Sequence, residues 1–484
     1  MSSLSFFCDL SEATTPLPHF WEHTVGSDHA PVALRADWQN QLQRAHRELG
    51  FQHVRFHGLL SDDFRLVVNN AKKLVYSFFN CDQVFDFLLS IGMKPFVELS
   101  FMPTALASGT RTVFNYESNV TPPRDYREWS RLIKALVSHC VDRYGIKEVS
   151  EWFFEVWNEP NLSTFWDGTQ RDYFKLYRHT AAAIKNVDAS LRVGGPATAR
   201  SEWIEDFVNF CERNEVPADF ISTHYYPNDG FDKANTEEQL FKSQRGIMRQ
   251  VAEDTKRHAV GRPVYYTEWN ASSDPQNPLH DQPYAAAFAT STIMEAKGLV
   301  EGYSFWTFTD IFEEHHFPSV PFHGGFGLMN LNGIPKPVYR AFELLHDLGN
   351  EQSLVDGLHE TVDCMVVQKD SGVTILLTNY TTPGHSIETE QIEFRLDNAR
   401  EPVAVYTKRI DDEHANPKRL WVEMGQPESL GRKQVEQLEE ASQVKTEKQR
   451  FAYRDGVITL KTTLPAHAVA AITIEFKPET RAHA

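Results

Sequence analysis

The sequence predicts an α/β fold: a (β/α)8 TIM barrel over residues 15–345 and an additional antiparallel β-sandwich-like domain over 346–484. Three observations predict it. Eight short β-rich runs alternate with helical stretches, the rhythm of repeated βα units. Polar and aromatic residues close those runs, where a parallel barrel builds its active-site face. After His346 the pattern becomes period-two alternation broken by turn residues, as in stacked antiparallel sheets.

The barrel strands are expected at 20–25, 53–57, 94–100, 152–157, 192–195, 220–224, 264–268 and 302–306. Helices are expected at 36–49, 81–90, 126–144, 173–187, 203–214 and 282–297. The residues closing the strands are His57, Glu98, Asn158 with Glu159, His224, Glu268 and Trp306, so Glu159 ends strand four and Glu268 strand seven. In the second domain, strands are expected at 364–368, 373–380, 402–407 and 469–476. The run 4–10 precedes the barrel and is expected to return to this sheet, which joins residues 1–14 to the second domain. A polar, Glu/Gln-rich stretch at 427–444 has a helical rhythm and predicts a helical insertion at about 411–445, with Trp421 and Met424 at its base.

Composition narrows the function. The chain has 484 residues and 41% aliphatic and aromatic residues, enough for a barrel core plus a smaller domain. Ten Trp and sixteen Tyr suit stacking on sugar rings, and they suit core packing equally well. A formal charge of −18 argues against nucleic acid as a partner and disfavours strongly acidic polysaccharides unless a local basic pocket intervenes. Cys8, Cys81, Cys140, Cys211 and Cys364 are scattered and in no paired motif, so they read as reduced, buried thiols. No apolar run approaches a membrane span, so no membrane partner is expected. No Lys or Arg precedes Arg35, and without a basic leader the expected location is cytoplasmic.

Two glutamates carry the chemistry. Glu159 lies in Phe154-Glu155-Val156-Trp157-Asn158-Glu159-Pro160-Asn161, and Glu268 in Val264-Tyr265-Tyr266-Thr267-Glu268-Trp269-Asn270. Two carboxyls at strand mouths are costly to build for stability alone, and they fit the paired acids that cut a glycosidic bond. Two capping or ion-paired glutamates are the plain alternative. The run from Asp310 to His316 collects Glu313, Glu314 and two His, but consecutive side chains rarely converge on one ion, so no metal is expected there. Gly324-Gly325-Phe326-Gly327 lacks the spacing of a phosphate cradle and reads as a loop.

The Glu159 motif resembles the acid/base signature of clan A glycoside hydrolases. The ordered set of motifs resembles glycoside hydrolase family 39 over nearly the whole chain. It comprises Phe20-Trp21-Glu22-His23, Val54-Arg55-Phe56-His57-Gly58, Thr121-Pro122-Pro123, Thr223-His224-Tyr225-Tyr226-Pro227, both glutamate motifs and Leu420-Trp421-Val422-Glu423-Met424-Gly425. The resemblance implies a retaining hydrolase with Glu159 as acid/base and Glu268 as nucleophile. It also implies His57 and Asn158 on sugar hydroxyls, Trp306 as an aromatic floor, Phe114 as a wall, and Glu313 with Glu314 on O3 and O4. Burial and like charge are expected to keep Glu159 protonated, with Tyr226 and His224 as donors around Glu268.

The activity implied by the resemblance is that of an exo-acting β-1,4-xylosidase, which releases xylose from the non-reducing end of xylo-oligosaccharides without cofactor. Other exo-glycosidases of the clan (α-L-arabinofuranosidase, β-glucosidase) and a sugar-binding barrel without activity are the alternatives. An α-L-iduronidase fits less well, because Glu313 and Glu314 would repel a uronic acid. Oligomeric state is left open.

Overall fold

The computed structural model describes residues 4–70, 73–229, 235–315 and 317–477. Residues 1–3 of the segment expected to join the second domain, the tail after residue 477 and His316 lie outside the described residues.

Eight parallel strands close a barrel in chain order: Thr24–His29, His53–His57, Lys94–Glu98, Phe153–Glu155, Arg192–Thr198, Phe220–His224, Val264–Trp269 and Gly302–Phe305. The first strand departs from expectation. Phe20–Glu22 is a short 3-10 turn, and the strand begins at Thr24 and runs on through Gly26, Ser27 and Asp28. Phe20 and Trp21 are apolar because they pack edge to face beneath the barrel, not because they lie in its wall. Among the described residues, Ile146–Val149, Thr236–Lys242, Ile247–His258 and Pro337–His346 add to the outer layer.

Period-two alternation stacks the interior in layers. Phe96, Phe153, Phe220 and Tyr265 form an aromatic plug near the strand starts. Two residues further along their strands come Glu98, Glu155, Ser222 and Thr267, and Arg55 stands between His53 and His57 on the second strand. An ionic layer therefore rests on an apolar one. The ladder between strands six and seven slips there: Thr223 pairs with Tyr266, but His224 pairs with Glu268. This irregularity lets the consecutive residues Thr267 and Glu268 both bond within the barrel.

The helix Pro283–Ala296 is buried on nearly every side, including Ala285, Ala286, Ala287 and Ala289. It lies between the barrel and the second domain, so both faces must be apolar and small. That domain is two stacked sheets. Seven strands are ordered Thr15–Pro16, Glu351–Ser353, Val362–Lys369, Gly372–Asn379, Ala468–Phe476, Pro402–Ile410, Thr446–Lys448. Four more are ordered Leu4–Asp9, Glu390–Asp397, Val457–Leu464, Phe451–Arg454. Leu4–Asp9 pairs parallel to Glu390–Asp397, an exception in otherwise antiparallel sheets. Phe6, Phe394, Ile375, Leu377, Leu460 and Ile472 are part of the apolar layer between them.

Between Pro402–Ile410 and Thr446–Lys448 the chain forms the helices Pro417–Glu423 and Arg432–Ala441. Trp421 packs there with Leu438, Ile334 and Phe322, the Phe322 ring 5.5 Å away. The insertion thus rests on the loop that follows the last barrel strand. No described helix is long and apolar enough to cross a membrane, and the five cysteines are free.

Candidate active site

A cavity of about 310 Å³ opens at the C-terminal ends of the strands. It is within the range of small-ligand sites. Its walls include Glu159, Glu268, His57, Asn158, Tyr226 and Trp306. The backbone around Glu159 is unusual: Trp157 and Glu159 have φ of 73° and 43°, a left-handed region that non-glycine residues seldom adopt. A bond from Glu159 N–H to Ala197 C=O, 2.8 Å, ties this turn to the fifth strand.

Glu159 and Glu268 are both buried, and one oxygen of each lies within 4.8 Å of the other. That spacing fits the ~5–5.5 Å between the carboxyls of retaining pairs better than the ~6.5–9.5 Å of inverting ones. Their surroundings differ. Glu268 accepts from Arg55 Nη1 at 2.8 Å and from the Tyr226 hydroxyl at 3.0 Å. Among the described residues Glu159 has no arginine or lysine in contact; its Oε1 lies 2.9 Å from His224 Nδ1. Burial, then the charges of Glu268 and Asp229, push the Glu159 carboxyl well above the ordinary carboxylate range.

Arg55 is the hub. It is fully buried; Nε meets Glu155 Oε2 at 2.5 Å, Nη2 meets Glu98 Oε2 at 2.8 Å, and Nη2 donates to Asn158 Oδ1 at 3.0 Å. The last bond fixes the Asn158 amide, whose carbonyl is thereby used inside the protein. His57 Nδ1 lies 2.6 Å from Glu98 Oε2, which leaves Nε2 facing Glu268 and Glu314 at 3.6 and 3.5 Å. Burial tends to raise Glu98, but His57 and Arg55 outweigh it and hold that carboxyl low. Trp306 stands 4.8 Å from the His57 ring and clusters with Tyr226, Phe312 and Phe326. Phe114 lines the cavity beside Phe165, and the Asn115 N–H bond to Glu314 C=O, 2.8 Å, holds its loop in place.

Two expected residues stand elsewhere. Glu313 does not line the cavity; its carboxylate pairs with Arg35 Nη1 at 3.0 Å on a half-exposed face, because adjacent loop residues point apart. Glu314 does line it, buried and pushed well above the usual range by burial and then by Asp28 and Glu268. His224 is fully buried behind Glu159 and is not a wall residue; its Nδ1 is 2.9 Å from Glu159 but 3.6 Å from Glu268, so it is not the Glu268 donor expected. Arg55 supplies that contact. The signal for it was present: His53, Arg55 and His57 alternate on one face of a strand, a polar stripe with no place in an apolar core.

Arg200 and Asp229 also line the cavity, and burial raises the Asp229 carboxyl to about 7. Glu159, His224 and Glu268 are close enough to share a cation, yet each already has a partner within the protein. A second close trio, His19, Glu22 and His346, is built on one Glu22 oxygen below the barrel, on the face opposite the cavity.

The sequence model described as Glycosyl hydrolases family 39 matches residues 8–459. A β-xylosidase of Caldicellulosiruptor saccharolyticus is 50% identical over 94% of this chain and 95% of its own length. A β-xylosidase of Geobacillus stearothermophilus is 39% identical over 94% and 92%. A solved family 39 β-xylosidase from Caulobacter crescentus superposes with a TM-score of 0.83 at 33% identity, covering 97% of this chain and 99% of that one.

Proposed function

The chain belongs to glycosyl hydrolase family 39, and from that premise we propose a retaining exo-β-1,4-xylosidase acting on short xylo-oligosaccharides. The observation that supports the mechanism is a pair of carboxyls with one oxygen of each within 4.8 Å, one bonded to Arg55 and Tyr226, the other bonded to His224. Glu268 attacks the anomeric carbon while Glu159 gives its proton to the glycosidic oxygen, which leaves as an alcohol. Glu159, now ionised, takes a proton from water as the water oxygen displaces Glu268 from the sugar. Glu159 must begin protonated, and its burial beside Glu268 supports that state.

Xylose is the sugar the full-length relatives support, and the pocket is consistent with a neutral pentose. Glu314 and His57 Nε2, 3.5 Å apart in its wall, offer polar partners for sugar hydroxyls. Arg200 reaches the cavity, but its charge acts on Glu159 and Asp229. Five free cysteines fit a reducing cytoplasm, which cell fractionation would check.

The deciding experiment is hydrolysis of p-nitrophenyl β-D-xylopyranoside by the protein and by Glu268→Gly, with and without azide. The proposal expects near-complete loss in the variant and recovery with azide as an α-xylosyl azide. An inactive native protein would remove the substrate assignment; a fully active variant would remove the nucleophile.

A further inference from the structure

Behind Glu159 a single file of hydrogen bonds runs into the barrel. Glu159 Oε1 meets His224 Nδ1 at 2.9 Å, and His224 Nε2 meets the Thr267 hydroxyl at 3.1 Å. The Thr267 hydroxyl donates to Glu155 Oε1 at 2.7 Å, and Glu155 Oε2 accepts from Arg55 Nε at 2.5 Å. Every member between Glu159 and Arg55 is buried, so water does not intervene to rearrange the file.

The directions of these bonds come from counting protons. Arg55 can only donate. Burial pushes the Glu155 carboxyl up, and the Arg55 guanidinium at 2.5 Å opposes this and favours its ionised form. A threonine hydroxyl has one hydrogen, and the ionised Glu155 takes it. The oxygen of Thr267 must then accept from His224, which places the imidazole hydrogen on Nε2. His224 is neutral, because burial and then Arg55 and His57 hold its pKa far below the ordinary value. A neutral ring with hydrogen on Nε2 has a bare Nδ1, and a bare Nδ1 at 2.9 Å from a carboxyl oxygen needs that oxygen to carry a proton.

We propose that Thr267, oriented by Glu155, is a positioning residue that fixes the His224 tautomer and thereby keeps the proton on Glu159. Ionising Glu159 would turn two lone pairs against each other across that bond. The alternative is to rotate the Thr267 hydroxyl toward His224, which strips Glu155 Oε1 of its donor. Either way the ionised form is disfavoured in the free enzyme. The groups facing Glu159 are Glu268 and Asp229, which act in the same direction, and Arg55 and Arg200, which oppose. The slipped ladder that turns Thr267 inward beside Glu268 is what makes the file possible.

The inference rests on Glu159 as the acid, which Glu159→Gln tests separately: loss of the basic limb of kcat/KM supports that assignment, and its persistence removes it. Thr267→Val keeps shape and charge but removes the hydroxyl. Without that acceptor the ring hydrogen is free to sit on Nδ1 and donate to the ionised carboxyl. The basic limb should then move to lower pH by about one unit, the worth of one hydrogen bond, and Thr267→Ser should restore it. Imidazole ¹⁵N spectra of the native protein give a readout independent of activity, with a bare Nδ1 expected for His224. A protonated Nδ1 in the native protein, or a folded Thr267→Val with an unchanged pH profile, would overturn the inference and leave the assignment of Glu159 untouched.

Discussion

Replacing Tyr226 by Phe removes one hydroxyl and little else. The ring is held by Trp306, Phe312 and Phe326, so Phe fills the same space. The hydroxyl donates to Glu268 Oε2 at 3.0 Å, and His224 Nδ1 is 3.6 Å from that oxygen, too far to replace it. A buried hydrogen bond to a charged oxygen is worth about 1.5–3 kcal/mol. The two chemical steps should feel its loss differently. In the first, charge leaves Glu268 as it attacks, so the bond weakens on the way to the transition state. In the second, Glu268 is the departing group and charge returns to it, so the bond strengthens there and its loss slows the step. With the charge about half developed, the penalty is about 0.75–1.5 kcal/mol, or about 4- to 12-fold in rate. Stopped-flow release of p-nitrophenol should show a burst in Tyr226→Phe, as the covalent intermediate accumulates ahead of slowed hydrolysis. A folded variant with slower attack, no burst and an unchanged second step would refute this reasoning.

Three further outcomes are expected. Glu314→Ala should lower kcat/KM on the xyloside by about 5- to 150-fold through a lost buried hydrogen bond, while Glu313→Ala, whose partner is Arg35, should stay within about twofold. His29 is raised to about 9 because Asp28 and Asp63 outweigh its burial, so its charged form stabilises the fold fully below 6.5 and that contribution fades as pH climbs through 9. Chemical denaturation of His29→Gln should therefore show a penalty on the order of 3 kcal/mol at about pH 6 that is mostly gone at about pH 10. Trp421→Ala should cost about 3–5 kcal/mol in stability and, through Phe322, loosen the loop that carries Phe326, read as a higher KM on the xyloside.

Much of this protein is written in short-range pattern. A strand's alternation and a helix's stripe are set by neighbours within a few residues, so helices such as 36–49 and 126–144 match Ala36–Leu49 and Tyr126–Tyr144. Both glutamates were visible for the same reason: a carboxyl ending an apolar run in Trp157-Asn158-Glu159 or Thr267-Glu268-Trp269 is a local anomaly. The first strand was misplaced because Phe20 and Trp21 have strand-like character, and only barrel closure assigns them to the turn beneath it.

The site's electrostatics were decided by tertiary structure. Arg55 lies 100 residues from Glu155 and 213 from Glu268 along the chain, so their meeting depends on how eight strands close. Which of Glu313 and Glu314 faces the cavity depends on the direction of one loop turn, and the two adjacent residues carry identical chemistry. His224 reads as a donor to Glu268 from its place at a strand end, yet the slipped register beside it sets it against Glu159 and Thr267. Composition and periodicity could name the acids; only the closed barrel, by fixing which polar atoms share a dry interior, determines which of them holds a proton.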